Sequence, residues 1–476
     1  MEAERDGIPG VVVTGPGFAD LGRLTGTTQG IPSLQVAVYP GPFDLHTDSE
    51  LKQNATREVV PQIVKALTSP IPKAGPAQAK PARDKIVFTG TLDQINRHFA
   101  DHGWSDGMAI VPPTIERIQE FLRYTSYPPD AEIAVLASAN LRATPWHIAV
   151  NAIMAGARPE HMPVIIAMVQ AIAKPQANTT DLGYAAYAGS THGFQSFFWV
   201  NGPIARQLGI DFGQGLIEHP INQVLGRTLS FIERNIAGFR IKETKMTTFG
   251  KPTSWVLAED EEATRRIGWA PYHVDHGYDL NANVVTTGTS TVWGQNLIPS
   301  SSDPKIVMQV LAYGLTHSEQ FASGAIRSRR YLLVAPTTAK VLADGGYTKD
   351  SLKAALVATA RKVTHEWAFS KVYGSPGFMY PPFEEELANT LGEPSVEKGR
   401  LPPWLPRFPG WEQIETTPAV AADKLEIIIC GDPSRNKAQT LAGGGLNSVE
   451  IRLPQNWDAL MQAAGYQPLQ EFLLNK

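Results

Sequence analysis

A chain of 476 residues that is 43% hydrophobic and 18% charged has enough apolar material for roughly two to four cored domains, with a rather apolar surface of the kind found in obligate oligomers. The net charge of −4 gives no electrostatic basis for binding nucleic acid or an anionic membrane. The single cysteine, Cys430, excludes a disulfide within the chain and a cysteine-built zinc site from this chain alone. No apolar run is long enough to span a bilayer, and the polar start MEAERDGIPG has no signal-peptide core. Cytoplasmic location is therefore the expectation.

The first 72 residues read as part of an α/β domain. Gly10–Thr14 and Leu34–Val38 are short β-branched runs typical of buried parallel strands, and GPGFADLGRLTG between them reads as turn and helix. Leu51, Val59, Val60, Ile63, Val64 and Leu67 then recur at helical spacing within 49–68. Strand, helix, strand, helix is a parallel-sheet order, here the half of a flavodoxin-like, doubly wound domain. MEAER reads as the last turn of a helix, so the expectation is that a second polypeptide supplies the strand and helix that usually come first.

PIPKAGPAQAKPAR, residues 70–83, has no apolar periodicity and marks the clearest boundary. The chain divides into 1–72, a linker over 73–84, a larger multi-layer α/β domain over 85–375, a Pro/Gly-rich excursion over 376–422, and a C-terminal βα unit over 423–476 packed on the main domain. Within these, Ile86–Thr89 is a strand candidate, and Thr91 and Thr114 are N-caps of helices. Ala149, Ala152, Ile153 and Ala157 predict a helix ending near Gly156, where Pro159 bars continuation, and MPVIIAMVQAIA predicts the next helix. Phe197–Val200, Ser254–Ala258, Asn283–Thr287, Tyr331–Ala335, Leu425–Cys430 and Val449–Leu453 read as strands. Asn222–Ala237 and GGYTKDSLKAALVATARKV read as helices. No short tandem repeat is evident, although FFWVNGPIARQLG and LEIIICGDPSRNKA echo one another as strand, polar turn and helix.

A family likeness rests on several motifs in one order. They are GWSDGMAIVPPT (103–114), NAIMAGARPEHMPV (151–164), STHG (190–193), VNGPIARQLGI (200–210), Gly226-Arg227, and AEDEEA with WAPYHVDHG (258–263 and 269–277). Together they resemble the large domain associated with the bacterial UGSC-like proteins, small thiol or selenoproteins bearing Sec-Gly-Ser-Cys. RDGIPGVVVT, IPSLQVAVYPGP and PQIVKALTSPI resemble the second half of that small thiol domain, and also the selenocysteine subunit of the glycine reductase group. The resemblance implies thiol- or selenol-based redox or bond-cleaving chemistry. Two departures stand out. No cysteine lies in the first 70 residues, and Pro336-Thr337-Thr338-Ala339 stands where the family pattern has Pro-Glu-His-Ala.

Candidate functional residues follow from local chemistry. Asp106, beside Trp104 in a glycine-bearing loop, is either an acid/base group with a pKa raised by desolvation or the carboxylate of an Asx-turn. Glu160 opens the helix after Gly156, either as a catalytic carboxylate or as a charge favoured by the helix dipole. His192 lies in a Gly/Ser/Thr loop, where catalytic groups tend to sit. His273, Asp275 and His276 form an H-x-D-H cluster, read either as ligands of a divalent transition metal or with one of the histidines simply capping the neighbouring acidic segment. Asn151 and Asn201 are candidate substrate donors. Arg227 suits a substrate carboxylate or a buried acid. Cys430, at the end of an apolar strand, is either a thiol nucleophile or a small buried hydrophobe. GDPSRNKAQTLAGGG lacks a G-K-[ST], but the AGGG at its end offers backbone amides to an anion.

These readings converge on a subunit of a cytoplasmic enzyme, an oxidoreductase or lyase, acting on a small polar metabolite. Asp106, Glu160, His192 and His273 are its expected catalytic residues, with Asn151, Asn201 and Arg227 binding substrate in the same pocket. A small partner polypeptide carrying the Cys motif would complete a hetero-oligomer. Two alternatives remain open: a self-sufficient metal-dependent hydrolase or lyase using His192, His273 and His276, and a non-catalytic scaffold.

Overall fold

The computed structural model describes residues 8–69, 84–137, 139–174, 189–191, 193–250, 253–317, 329–363 and 416–465. Near the N-terminus, β1 (Val11–Thr14) pairs in parallel with β2 (Gln35–Val38), from Val11 opposite Gln35 to Thr14 opposite Val38. Helix α1 (Ala19–Thr28) makes the crossover. A capping box between Thr47 and Glu50 starts α2 (Asp48–Asn54), which runs through a π-turn into α3 (Val60–Thr68). The strand–helix–strand–helix order is the one expected. Ala37, Tyr39 and Val59 form a small core, while Val12, Val13, Val60, Val64 and Leu67 stay exposed. The MEAER turn lies outside the described residues.

The next layer is helical. Thr91 and Thr114 cap α4 (Leu92–Asp101) and α5 (Ile115–Leu122), as their spacing requires. Residues 86–89, expected as a strand, form none and are exposed. A short hairpin, β3 (Ala134–Leu136) with β4 (Leu141–Ala143), is an element the sequence did not disclose. Helix α6 (Pro145–Ala155) ends at Gly156, whose φ of 88° is left-handed, and a tight turn over Pro159–His161 leads into α7 (Met162–Ala173). Nearly every side chain of α7 is buried, so this helix runs through the core.

A six-stranded sheet organises the rest. In chain order come β5 (Gln195–Asn201), α8 (Pro203–Leu208), α9 (Pro220–Asn235), β6 (Trp255–Ala258), α10 (Glu261–Arg266), α11 (Tyr272–Asp275) and β7 (Val284–Leu297). Then follow α12 (Pro304–His317), β8 (Arg329–Val334), α13 (Pro336–Asp344), α14 (Lys349–Thr359), the small antiparallel pair β9 (Arg361–Val363) and β10 (Thr416–Pro418), β11 (Leu425–Ile429), β12 (Ala438–Glu450) and α15 (Trp457–Ala464). The sheet order is β11-β8-β12-β7-β5-β6. β5 with β6 and β8 with β11 are parallel; the other ladders are antiparallel. The α/β class expected from the sequence is what forms, and β11 and β12 are both strands of this sheet, one on each side of β8.

Each half of the sheet repeats one topology. Among the described residues, a helix (α7 or α12) precedes an inner strand (β5 or β8), two helices follow, with the β9–β10 pair after them in the second half, and then comes a parallel outer strand (β6 or β11). A long strand (β7 or β12) returns antiparallel and meets its counterpart at the middle of the sheet. The echo noticed in the sequence paired β5 with β11, whereas the topology matches β5 with β8 and β6 with β11.

Alternation along the strands separates the faces. Phe198, Val200 and Val256 face α7 and α9, and Leu332, Val334, Ile427 and Ile429 face α12, α13 and α14. The opposite face carries Phe197, Trp199, Trp255, Leu257, Tyr331, Leu333, Ile428 and Leu441, which meet across the concave side of the curled sheet. Phe197 and Tyr331 pack edge to face at 4.7 Å. Truncating one of these rings to alanine costs about 3–5 kcal/mol, the scale for emptying a buried aromatic site. The curl brings the two edge strands together: Asp260 N, just after β6, donates to Ile429 O of β11 at 2.8 Å. The glycine-rich run 438–445, offered above as an anion loop, is part of β12. Most of its residues are paired in the ladders to β7 and β8, and Gly444 N donates to Thr289 Oγ1, which corrects that reading; of the strand expected at Val449–Leu453 only Val449 and Glu450 are β, as the end of this longer one.

Candidate active site at the strand ends

The parallel strands β5 and β6 finish side by side, and each delivers a polar residue at its C-terminal end. That edge is where open α/β sheets place their ligands. Asn201 ends β5, and its Nδ2 donates to Glu259 Oε2 at 2.7 Å and to Glu261 Oε1 at 3.0 Å. Glu259 stands one residue past β6 and Glu261 opens α10. Gly202, with φ of 92°, turns the chain so that its amide also donates to Glu261 Oε1, at 2.6 Å. A side chain at Gly202 would overlap Ala282 O, so only glycine fits there.

The two carboxyls have different surroundings. Glu259 is fully buried, accepts hydrogen bonds from Tyr272 N at 2.6 Å and Thr264 Oγ1 at 3.3 Å, and has Lys349 Nζ at 3.9 Å. Burial is the larger influence and pushes its pKa up to about 7, with Lys349, Tyr272 N and Asn201 opposing and the Glu261 charge adding to the rise. Glu261 is partly exposed to a cavity of about 220 Å³ that is also lined by Arg206, Phe212 and Arg265. His273 is buried, with Nε2 at 3.2 Å from Leu280 O; its Nδ1 has no hydrogen-bond partner among the described residues and faces Glu261 Oε1 at 3.7 Å. Lys349 Nζ is itself held by Ala270 O at 2.6 Å and Asp275 Oδ2 at 2.7 Å.

Asn201 and His273 therefore belong to one network, and Glu259, Glu261 and Lys349 are the members the sequence did not single out. Their signal was a carboxylate immediately after a buried strand, hidden inside the acidic run AEDEEA. His276 turns the other way: its Nδ1 lies 2.7 Å from Tyr272 O, and its Nε2 is 3.9 Å from Glu426 on the concave face. The two histidines do not converge, and among the described residues no three His, Cys, Asp or Glu side chains are grouped to hold a metal ion.

The other expected site residues lie elsewhere. Asp106 takes a bidentate pair from Arg227, at 2.8 Å from Nε and 3.0 Å from NH2. Desolvation raises its pKa, but the Arg227 hydrogen bonds and charge outweigh it and the net shift is downward, so the expected proton donor is a fixed anion. Arg227 is thereby committed to Asp106 and Ala109 O. Asn151 accepts from Asn235 Nδ2 at 2.7 Å, on the outer helical layer. Glu160 is buried beside Arg158 NH2 at 3.4 Å, with Oε2 unpartnered among the described residues. His192 lies outside the described residues. The single pocket expected for Asp106, Asn151, Glu160, Asn201 and His273 is thus divided, because α6 and α9 hold the first two on the outer face of the sheet. Cys430 is buried, and burial together with the Glu259 and Asp260 charges pushes its thiol far up; the nucleophile reading is corrected to the buried-hydrophobe one.

Residues 1–69 match the model of the UGSC family. The UGSC-like segment is the β1–β2 unit with its three helices, and it contains no cysteine. No curated protein and no solved structure matches the chain. Among the described residues no helix is long and apolar enough to cross a membrane.

Proposed function

We propose that the chain is the acid–base subunit of an enzyme acting on a small polar metabolite at the ends of β5 and β6. The observation that carries this reading is the pair Glu259 and Glu261, bridged by one amide, with Glu259 poised near neutrality. A carboxyl in that range gives and takes protons at working pH, and two linked carboxyls in unlike surroundings divide acid and base roles. In this reading Glu261 contacts the substrate, Glu259 exchanges the proton through the shared network, and Asn201, Tyr272 N and Lys349 hold Glu259 in place. The cavity of about 220 Å³ has room for about seven waters at ~30 Å³ each. That volume suits a compact metabolite, and acids beside Arg206 and Arg265 suit one with both a nitrogen and an anionic end.

The thiol part of the chemistry is assigned to a second polypeptide. The UGSC match favours a thiol partner, while the only cysteine here is buried and its thiol is held protonated. The test of the acid–base reading is deuterium incorporation. Host metabolite extract is incubated in D2O with the native complex, and mass spectrometry reads which metabolites gain deuterium. The expected result is incorporation that falls ~10²–10⁴-fold with Glu259→Gln. Incorporation equal to a heat-inactivated control, or unaffected by Glu259→Gln, sinks it. Co-purification from the host that yields no chain with a Cys-Gly-Ser-Cys-type motif sinks the assignment of the thiol.

A further inference from the structure

A second cavity, larger than the one at the strand ends, lies away from them. It holds about 650 Å³ and lies on the outer helical layer, between α6, α9 and the extended stretch that leads to α4. Its walls are aromatic and apolar: Phe88, Phe99, Trp104, Trp146 and Met154 line it. Phe99 and Trp104 meet edge to face at 5.4 Å, and Phe88 stacks on His98 at 4.3 Å, so the ring-bearing wall is braced from behind. Polar residues also line it, among them Asp84, Lys85, Thr114, Glu116 and His147. Asn235 spends its Nδ2 on Trp104 O and on Asn151 Oδ1, which leaves Oδ1 buried with no hydrogen-bond partner among the described residues. Arg240 stands at the rim, 42% exposed, and pairs with Glu243 at 3.8 Å.

We infer that this cavity is a second small-molecule site, and that it takes a planar aromatic or heteroaromatic acid. The volume lies within the ~300–1,000 Å³ range of ligand pockets, which pair apolar walls with a few placed polar groups. Flat rings stack or meet edge to face with Phe88, Trp104 and Trp146. A ring N–H or O–H supplies the donor that Asn235 Oδ1 lacks, and a carboxylate meets Arg240, whose fork suits it. The site shares no lining residue with the Glu259 cavity, so it stands or falls separately from the acid–base reading.

The test is isothermal titration of the full chain with indole-3-acetate and, in parallel, with neutral indole. Indole-3-acetate is expected to bind with Kd below about 1 mM. Val150→Trp, at a half-buried lining position, fills the cavity and is expected to abolish binding of both probes while circular dichroism stays native. If that variant misfolds, Phe88→Ala on the exposed wall replaces it, with both probes expected to weaken. Arg240→Gln is expected to weaken indole-3-acetate by up to about fivefold, as for a partly exposed ion pair, and to leave indole unchanged. No binding of either probe to the native chain, or binding that survives both wall variants, overturns the site. Equal effects of Arg240→Gln on the two probes overturn its preference for an acid.

Discussion

Replacing Glu259 by glutamine changes how stability depends on pH, and the structure fixes both sign and size. The native carboxyl holds its proton up to about pH 7, whereas the unfolded one has the ordinary value of 4.5. Between those values the native state binds more protons than the unfolded state. Stability contributed by this group is therefore greatest below the unfolded value and falls as pH rises, levelling off above about 7. The loss is about 3 kcal/mol, from ~1.4 kcal/mol per pKa unit. Glutamine cannot ionise, and it preserves the geometry: its oxygen accepts from Asn201 and Tyr272 N, and its amide faces Thr264 Oγ1. The variant therefore lacks the decline. With an unfolding entropy of ~2 cal/mol/K per residue over a chain of this length, the difference amounts to roughly 3 °C in Tm. Thermal melts of both proteins from about pH 4.5 to about pH 8 are expected to show the variant gaining on the native chain through that window. A Tm difference that stays constant across it refutes the assignment of a near-neutral buried carboxyl at the strand ends.

Other outcomes follow from the same coordinates. His161 is buried, and desolvation, with the Arg158 charge, lowers its pKa to about 3; stability is lost as pH falls below its unfolded value of about 6.5, and His161→Gln should lessen that acid sensitivity in melts from about pH 6 to about pH 4. Gly226→Ala places a methyl group on Ser254 O where α9 crosses the strand backbone, so denaturant midpoints should report a loss of at least ~1–3 kcal/mol. Asp106→Asn leaves Arg227 without its bidentate partner and should cost ~1.5–3 kcal/mol without shifting the deuterium-incorporation profile. Cys430 should resist iodoacetamide in the native state near neutral pH and react fully in denaturant, which mass spectrometry reads directly.

What the sequence disclosed divides along a physical line. Buried runs such as FFWV, YLLVA and LEIIIC announce their strands because both faces are covered, and threonine caps and Gly156 announce helix ends because those signals are local. β12 escaped because AGGG reads as loop, and only the flanking ladders to β7 and β8 make a strand of it. Residues 86–89 erred the other way: the β-branched composition is present, but no partner strand reaches it. At the site, Asn201 and His273 were legible as polar residues beside strands and turns. Glu259 was not, because its raised pKa comes from burial in the folded chain, against which Lys349, ninety residues on, acts in the opposite direction.

The twofold repeat explains why one end of the sheet carries polar chemistry and the other does not. Glu259 N donates to Val200 O, and Cys430 N donates to Val334 O; each is the residue just past an outer strand, bonded to the last turn of its inner strand. By that register Glu259 corresponds to Cys430, and Asn201 corresponds to Ala335. The first half therefore presents an amide and a carboxyl where the second presents a methyl group and a thiol. The contact between Asp260 N and Ile429 O joins the two outer strands at this point, so both sets meet around one seam. Cys430 and Ala335 are both buried, and Cys430 lies close enough to Glu259 to feel its charge, so the thiol is expected to help keep water from that carboxyl. On this account Cys430 acts on the carboxyl through desolvation, as a small hydrophobe in the wall behind it. Its replacement by serine, which brings a hydroxyl and its hydration to the same volume, moves the Glu259 titration back toward the ordinary carboxyl range, whereas alanine leaves it raised.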